Sequence, residues 1–316
     1  MIDLILLIAG FLVLIFGANK LVDASSSLAS KLGIPNIVIG LTIVAFGTSA
    51  PEMVVNIFAA INSNTEMVTG NVLGSNIFNV FGILGICAII YPLTVKSNTT
   101  WYEIPLSLLA ALVVVVISFD IFLDSSSKNL ISRSDSLILL LFFAVFLVYN
   151  FAVSKGDKTY ESTQILNYSI TKSFLYILVG LCGLIIGGRL IVSSAVSIAE
   201  LLGFSDRLIG LTIVSIGTSL PELATSVAAV KKKNVDIAIG NVVGSNIFNI
   251  FFVLGISGLI TPIAVEKSST IDFAVNILAS VLLFIFVFTG KNRSIERWEG
   301  VVFLMLYLVY LFYIIF

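Results

Sequence analysis

The feature that most limits the fold is a series of apolar stretches, each close to the length that crosses a lipid bilayer. A membrane-spanning helix needs roughly 20 consecutive apolar residues. Only 11% of the residues are charged, whereas a soluble domain has roughly a quarter. The sequence therefore predicts an all-α polytopic membrane protein with ten transmembrane helices, at about 4–22, 36–61, 70–91, 103–123, 136–154, 173–195, 207–230, 237–260, 271–289 and 298–316.

Two motifs occur twice in the sequence, at a constant separation of 170 residues. GLTIVAFGTSAPE at 40–52 returns as GLTIVSIGTSLPE at 210–222, and GNVLGSNIFNVFGILG at 70–85 returns as GNVVGSNIFNIFFVLG at 240–255. Each half holds five apolar stretches, an odd number, so the second half would enter the membrane from the opposite side. Inverted repeats are typical of secondary transporters, whose binding site lies near the membrane midplane between the repeats.

This duplication predicts three regions along the chain. The first five-helix repeat is expected at 1–154, a short cytoplasmic linker at 155–171 and the inverted second repeat at 172–316. The first stretch lacks a basic segment before it and is too long for a signal-peptide core, so it is interpreted as a retained helix. The GxxxG pairs Gly70–Gly74 and Gly240–Gly244 additionally predict close helix packing.

The distribution of positive charge predicts the orientation in the membrane. With ten spans, twelve of the 17 Lys and Arg residues fall on one side and five on the other. Cytoplasmic loops collect Lys and Arg. We therefore expect a multi-pass protein of the cell membrane, in contact with the lipid bilayer, with both termini extracytoplasmic.

Glu52 lies in the middle of an apolar stretch, where an unpaired charge costs a few kcal/mol or more. In a continuous helix Thr48 and Ser49 precede it by four and three residues and share its face. Pro51 has no N–H, so it leaves the carbonyl of Gly47 without its helical partner. The second copy repeats this arrangement with Thr218, Ser219, Glu222, Pro221 and Gly217.

The second motif adds polar residues spaced by four, which are expected along one helix stripe: Asn71, Ser75 and Asn79 in the first half, and Asn241, Ser245 and Asn249 in the second. If the halves face one another, carboxylate, hydroxyl, amide and carbonyl oxygens converge. Such oxygens are the ligands of hard cations such as Ca²⁺ and Na⁺. Two glutamates balance one Ca²⁺, while three Na⁺ would leave one net positive charge, so that such an exchange would be electrogenic.

The sequence lacks residues that several other classes of function require. The chain has no His, which removes the commonest proton relay and transition-metal ligand. Cys87 and Cys182 lie in apolar stretches without a CxxC pattern and are interpreted as packing residues. An intramembrane protease would need paired aspartates, a serine with a base or a metal site. We therefore expect no catalytic residue and no cofactor. A channel stays an alternative, although one inverted pair fits alternating access better.

On these doubled motifs, GTSxPE and GNxxGSNIFN, the chain resembles the calcium/cation antiporter superfamily over essentially its whole length. Within it, the chain is similar to the sodium/calcium exchanger branch with its short prokaryotic members. The resemblance implies ten transmembrane helices in two inverted halves, with an ion cavity between the second, third, seventh and eighth. It implies no nucleic-acid or protein partner.

The resemblance also implies a set of ligands. Glu52 and Glu222 match the shared Ca²⁺ and Na⁺ ligands, and Thr48 and Thr218 match positions that join the Ca²⁺ site through backbone carbonyls. Positions of the flanking Na⁺ sites are matched by Ser49, Ser219, Ser75, Ser245 and the backbone carbonyls of Ala45 and Ser215. Asn79 and Asn249 match the remaining central positions. Relatives can carry Asp at one of these two, so the Na⁺ stoichiometry and any K⁺ dependence stay open.

The main hypothesis is a sodium/calcium antiporter that exports Ca²⁺ by alternating access, with spans 1 and 6 sliding against a core that carries the site. The alternative is Ca²⁺/H⁺ exchange, in which the glutamates carry protons. The cation/proton branch has an acidic residue and a His after its GN motif. Here Gly74 and Gly244 take the place of the acid and His is absent, which favours Na⁺ over H⁺.

Overall fold

The computed structural model describes residues 2–123, 125, 128–154, 166–201, 215–266, 269–290 and 293–315. Within these ranges the chain is almost entirely helical. The helices are α1 (Ile2–Leu32), α2 (Asn36–Thr48), α3 (Ala50–Ile61), α4 (Thr65–Ile90), α5 (Thr99–Val116), α6 (Asp120–Leu123), α7 (Arg133–Ser154), α8 (Ile170–Leu201), α9 (Ser215–Thr218), α10 (Leu220–Lys231), α11 (Val235–Ile260), α12 (Thr270–Thr289) and α13 (Arg297–Ile315).

Eight of the described helices are long and apolar enough to cross a membrane: α1, α4, α5, α7, α8, α11, α12 and α13. The pair α2 and α3 passes the same test as one span bent by 48°. The expected stretch at 207–230 falls partly outside the described residues, and α9 and most of α10 are its described part. The all-helical membrane fold is thus confirmed, while the ten-helix count and the inverted repeat stay predictions.

Two helices extend well past their predicted ends, and the polar continuation of α1 is buried against protein. α1 runs on through Ser26 and Ser27, whose hydroxyl oxygens accept hydrogen bonds from Asn234 Nδ2 (2.9 Å) and from the backbone N–H of Tyr168 (2.9 Å). α8 likewise spans 32 residues. Hydropathy alone locates only the part of a helix that faces lipid.

α5 ends earlier than the sequence predicts, at Val116 instead of residue 123. The chain turns at Ile117 and Ser118 and then forms the separate short helix α6. Asp120 Oδ2 accepts a hydrogen bond from the backbone N–H of Leu130 (2.7 Å). This polar contact ties the following loop back to α6, so the apolar run from 103 to 123 is not one continuous helix.

Several spans contain a stretch of π-helix, in which the backbone hydrogen bond reaches one residue further than in an α-helix. These stretches are Gly40–Val44 in α2, Phe78–Leu84 in α4, Thr99–Glu103 in α5 and Asn249–Leu254 in α11. The wider turn shifts every later side chain around the helix axis. A stripe read at a spacing of four therefore does not continue unchanged past Asn79 or Asn249.

Short strands connect the first half of the chain to the second. β1 (Leu93–Thr94) pairs antiparallel with β4 (Ser294–Ile295), and β2 (Leu130–Ile131) pairs antiparallel with β3 (Ile263–Ala264). In each pair, a strand in a loop of the first half is hydrogen-bonded to a strand in a loop of the second half. The two halves are therefore hydrogen-bonded through their loops as well as packed through their helices.

α2 packs against α11 with almost no side chain between the backbones. A Cβ atom on Gly240 would lie 2.9 Å from the carbonyl oxygen of Ile37, and one on Gly244 would lie 2.8 Å from that of Leu41. The prediction that the GxxxG pair Gly240–Gly244 mediates close packing is confirmed, whereas for Gly70–Gly74 it stays a prediction, because a Cβ atom on Gly70 would meet no described atom within 4 Å. This contact brings the first GTSxPE segment beside the second GNxxGSNIFN segment.

α1 and α8 meet along a glycine seam formed by Gly10, Gly17, Gly180, Gly183 and Gly187. A Cβ atom on Gly17 would lie 2.7 Å from the carbonyl oxygen of Gly180, and one on Gly187 would lie 2.6 Å from the backbone nitrogen of Leu14. Such distances leave no room for a side chain. At these glycines the two helices therefore touch through their backbones.

We predict that Gly180→Ala destabilises the protein, whereas Gly188→Ala in the same helix does not. An added Cβ would lie 2.8 Å from the backbone nitrogen of Leu21 at position 180, but 3.9 Å from its nearest neighbour, Pro221, at position 188. Overpacking costs about 1–3 kcal/mol, while alanine is about 1 kcal/mol better than glycine inside a helix. The thermal unfolding midpoint of detergent-purified protein measures both; equal midpoints would contradict the close backbone contact.

Candidate functional site

The first GTSxPE segment is a break between two helices. α2 ends at Thr48, Ser49 has φ −81° and ψ 8°, and α3 begins at Ala50. The backbone N–H of Ser49 still donates to the carbonyl oxygen of Ala45 (3.0 Å). Pro51 lies in the first turn of α3, where its missing N–H is tolerated. The sequence predicts a loosened turn inside one helix. The structure instead has a break between two helices, with a bend of 48°.

The second GTSxPE segment has the same local geometry. α9 ends at Thr218, Ser219 has φ −89° and ψ 8°, and α10 begins at Leu220 with Pro221 in its first turn. The backbone N–H of Ser219 donates to the carbonyl oxygen of Ile216 (3.1 Å). Each half thus presents one glutamate from the first turn of a new helix.

The two breaks are linked by crossed hydrogen bonds. Ser49 Oγ donates to Glu222 Oε1 (2.7 Å), and Ser219 Oγ donates to Glu52 Oε1 (2.8 Å). Both glutamates are only 1% exposed. The expectation that each serine lies beside the glutamate of its own half was wrong, because the helix bends at the serine and the i to i+3 relation is lost.

Ser245 of α11 joins this crossed pair. Its Oγ lies 3.0 Å from Ser49 Oγ and 3.5 Å from Glu222 Oε1. Its counterpart Ser75 in α4 is equally buried, and its Oγ has no hydrogen-bond partner among the described residues. The two serines therefore occupy corresponding positions with different local bonding.

The threonine hydroxyls contact asparagines of the opposite half. Thr48 Oγ1 donates to Asn241 Oδ1 (3.0 Å), and Thr218 Oγ1 lies 3.4 Å from Asn71 Oδ1. Asn241 Nδ2 also donates to the backbone carbonyl of Glu222 (3.2 Å) and to Ser226 Oγ (3.0 Å). Asn241 thus fixes the helix that carries Glu222 against the helix break of the first half.

The expected ligand set includes the backbone carbonyls of Ala45 and Ser215. The carbonyl oxygen of Ala45 accepts from the Ser49 N–H and lies 3.3 Å from Thr48 Oγ1. Ser215 is the first residue of α9, and its side chain lies outside the described residues.

Asn79 and Asn249 lie in the π-helical stretches of α4 and α11 and are each 1% exposed. Asn79 Nδ2 donates to Asn246 Oδ1 (3.0 Å), and Asn249 Nδ2 donates to Asn76 Oδ1 (3.1 Å). Asn76 and Asn246 are not among the ligands that the sequence predicts. Their repetition in the GSNIFN motif was the signal that could have identified them.

Among the residues of the expected ligand set, five oxygens are buried and lack a hydrogen-bond partner within the part of the chain that the structure describes. They are Glu52 Oε2, Glu222 Oε2, Asn79 Oδ1, Asn249 Oδ1 and Ser75 Oγ. All five belong to residues that the sequence selects, and all are acceptors of the type that binds hard cations.

Other buried or half-buried acids have donors of their own, such as Lys96, whose Nζ lies 2.8 Å from Asp236 Oδ2. Tyr149 donates to Glu103 Oε1 (2.6 Å), Tyr310 donates to Asp272 Oδ1 (2.8 Å), and the backbone N–H of Glu296 donates to Glu299 Oε2 (2.6 Å). Glu103 Oε2 is also buried without a partner in the described ranges. None of these three acids is crossed to a matching acid, as Glu52 and Glu222 are.

Groups that could form another kind of metal centre are sparse. No cluster of three or more His, Cys, Asp or Glu side chains occurs among the residues described. Outside the membrane spans, a hydrogen bond to Glu66 and the proximity of its charge raise the pKa of Glu266. Both Glu66 and Glu266 lie at the surface.

Glu52 and Glu222 are buried, and each accepts a hydrogen bond from a serine of the opposite half. The region around them is therefore the candidate functional site.

Comparison with known proteins gives a family for this architecture. The family model described as sodium/calcium exchanger protein matches residues 2–152 and 172–316. The sodium/calcium exchanger MaX1 of Methanosarcina acetivorans is 33% identical, with 99% of each chain covered. The inner membrane protein YrbG of Escherichia coli is 35% identical, covering 94% of this chain and 91% of YrbG.

The fold agrees with solved structures of the sodium-calcium exchanger NCX_Mj. One of them, soaked with 10 mM Na⁺ and no Ca²⁺, superposes with a TM-score of 0.83 at 33% identity and covers 97% of both chains. A second, soaked with 2.5 mM Na⁺ and 0.1 mM Ca²⁺, gives a TM-score of 0.82 at 31% identity. Since the family model and full-length relatives agree over nearly the whole sequence, this chain belongs to the sodium/calcium exchanger family.

Proposed function

We propose that this protein is a sodium/calcium antiporter that exports Ca²⁺ by alternating access, driven by the Na⁺ gradient. Membership of the exchanger family supports the reaction class. The relative MaX1 is named a sodium/calcium exchanger, and the similar structures are of a sodium-calcium exchanger. The Ca²⁺ and Na⁺ ions are the transported substrates, and the site needs no cofactor.

The observation that carries this proposal is the group of five unpartnered oxygens on Glu52, Glu222, Asn79, Asn249 and Ser75. A buried polar atom without a partner costs about 1–3 kcal/mol, and more when it is charged. Ca²⁺ binds six to eight oxygens in flexible geometry. A cation placed between the halves would satisfy these atoms together.

The two acidic side chains of the site support an exchange in which the Na⁺ ions carry more charge than the Ca²⁺ ion. Glu52 and Glu222 carry two negative charges when ionised, which one Ca²⁺ balances. Three Na⁺ on the same ligands would leave one net positive charge, so exchange at that ratio would be electrogenic, at about 2.3 kcal/mol per charge per 100 mV. Because both ions need the same carboxylates, binding of one excludes the other, and this competition couples their movement.

The ligand roles follow the resemblance and the geometry together. Glu52 and Glu222 are the shared ligands, Thr48 and Thr218 join the Ca²⁺ position through their backbone carbonyls, and Asn79 and Asn249 complete the centre. The flanking Na⁺ positions comprise Ser49, Ser219, Ser75, Ser245 and the carbonyls of Ala45 and Ser215. The direct bonds of Ser49 and Ser219 to the opposite glutamates support this grouping.

Alternating access would move α1 and α8 against the remaining helices, in which the two repeats are inverted. In the most apolar window of α1 only 22% of the residues are buried, and in α8 39%, compared with 78% in both α4 and α11. The pair thus faces lipid over much of its length, and its internal contact is the glycine seam. The seam lies between α1 and α8, so it would hold these two helices together as they move.

The excess of Lys and Arg on the opposite side supports an extracytoplasmic position for both termini. We expect a reporter fused after Phe316 that is active only outside the cytoplasm to be active. A reporter inserted in the segment 155–171 should instead be active only in its cytoplasmic form. The reverse pattern would overturn this orientation.

We predict that purified protein in liposomes takes up radioactive Ca²⁺ when Na⁺ is loaded inside and removed outside. Gradients of K⁺ and of pH, imposed separately, should not replace the Na⁺ gradient. A membrane potential that draws positive charge out of the vesicle should accelerate uptake, because more charge leaves with Na⁺ than enters with Ca²⁺. Uptake that follows the pH gradient and ignores Na⁺ would establish Ca²⁺/H⁺ exchange instead, and uptake without countertransport would indicate a channel.

We predict that Glu52→Gln and Glu222→Gln each abolish Na⁺-dependent Ca²⁺ uptake. Removing one partner of a buried charged group costs about 3–5 kcal/mol, which corresponds to a loss of Ca²⁺ affinity of at least about 100-fold. Glu103→Gln is the matched control, because Glu103 is also fully buried in a span and glutamine keeps an acceptor for Tyr149. Normal uptake by either site variant, or an equal loss in the control, would refute the site.

A further inference from the structure

Two asparagines outside the proposed ligand set, Asn76 and Asn246, connect α4 to α11. Asn76 Nδ2 donates to the main-chain carbonyl of Asn246 (3.2 Å), and Asn246 Nδ2 donates to the main-chain carbonyl of Asn76 (3.4 Å). Both side chains are buried. Because a main-chain carbonyl can only accept, these two bonds determine which end of each side-chain amide is the NH₂ group.

This orientation determines that of the next two asparagines. Asn76 Oδ1 can only accept, and it receives a hydrogen bond from Asn249 Nδ2 (3.1 Å). Asn246 Oδ1 accepts in the same way from Asn79 Nδ2 (3.0 Å). Rotating the amide of Asn79 or Asn249 by half a turn would set two carbonyl oxygens against each other. Their Oδ1 atoms are therefore the ends without a partner in the described part of the chain.

We propose that Asn76 and Asn246 are positioning residues that hold the amide oxygens of Asn249 and Asn79 ready for the transported cation. This inference rests on the proposed function, since it uses Asn79 and Asn249 as ligands. An amide that rotates freely presents its NH₂ group to a cation in half of its orientations, and that group repels the cation. The fixed orientation removes this loss before the ion arrives, which raises affinity by preorganisation.

The network also explains why amides at both positions suit this chain. Positions 79 and 249 must supply a donor to Asn246 Oδ1 and Asn76 Oδ1, respectively. An ionised aspartate has no proton to donate and would place a carboxylate against that oxygen. With asparagine at both positions, the fixed negative charge of the site is confined to Glu52 and Glu222.

The test is a pair of double-mutant cycles on the full-length purified protein, with Ca²⁺ affinity measured from the Ca²⁺-induced rise in the unfolding midpoint. Asn76→Ala should weaken Ca²⁺ binding roughly tenfold, the effect of one hydrogen bond. Asn76→Ala combined with Asn249→Ala should be no weaker than Asn249→Ala alone, because Asn76 acts through Asn249. Combined with Asn79→Ala, its effect should multiply, because Asn249 is still present in that variant and still depends on Asn76 for its orientation.

Asn150→Ala is the matched control, since Asn150 is a buried helix asparagine whose Nδ2, among the described residues, donates to the backbone carbonyl of Phe146 in its own helix (2.8 Å). It should lower the ion-free midpoint without changing Ca²⁺ affinity. If Asn76→Ala does not fold, the mirror cycle of Asn246 with Asn79 and Asn249 gives the same comparison. If Asn76→Ala leaves the Ca²⁺ affinity unchanged, or if its effect on affinity multiplies fully with that of Asn249→Ala, the positioning role is overturned. The proposed exchange by the wild type is not affected by either result. A wild type that lacks Na⁺-dependent Ca²⁺ uptake overturns the proposed function itself.

Discussion

The structure depends on the burial of two carboxylates inside an apolar bundle. Glu52 and Glu222 approach each other at a depth where charge is costly, and each accepts a hydroxyl hydrogen bond from the opposite half of the chain. The helix breaks at Ser49 and Ser219 direct those hydroxyls across the interface, and the glycines of α11 let α2 approach closely enough for them to reach. The helix breaks, the close packing of α2 on α11 and the crossed hydrogen bonds thus all stabilise the two buried carboxylates.

Much of the site could be predicted from the sequence because its residues stand out against an apolar background. A glutamate in a membrane-length stretch needs a polar environment, and its recurrence beside Thr, Ser and Pro after 170 residues indicates two halves of one site. The absence of His and the dominance of oxygen-bearing side chains then narrow the ligand to a hard cation. The helical membrane fold followed with similar security, since apolar length is a strong local signal.

The remaining features are set by contacts between segments distant in sequence. The crossing of Ser49 to Glu222 could not be read from i to i+3 spacing, because the bend at Ser49 redirects the side chain. The π-helical stretches beginning at Phe78 and Asn249 have no distinctive local composition. The roles of Asn76 and Asn246 depend on which carbonyl each amide meets in the other half. Helix ends at Leu32 and Val116 were likewise decided by burial and loop contacts beyond the apolar runs.

The unusual length of α1 and α8 gives the surrounding lipid a direct influence on this protein. At 1.5 Å per residue, their 31 and 32 residues extend about 46 and 48 Å, well beyond the roughly 30 Å of a bilayer's hydrocarbon core. Helices that exceed the bilayer must tilt, protrude or deform it. A thinner or thicker membrane therefore changes the preferred tilt of this pair while leaving the largely buried helices α4 and α11 comparatively untouched, so membrane thickness acts on the position of α1 and α8 relative to the candidate site.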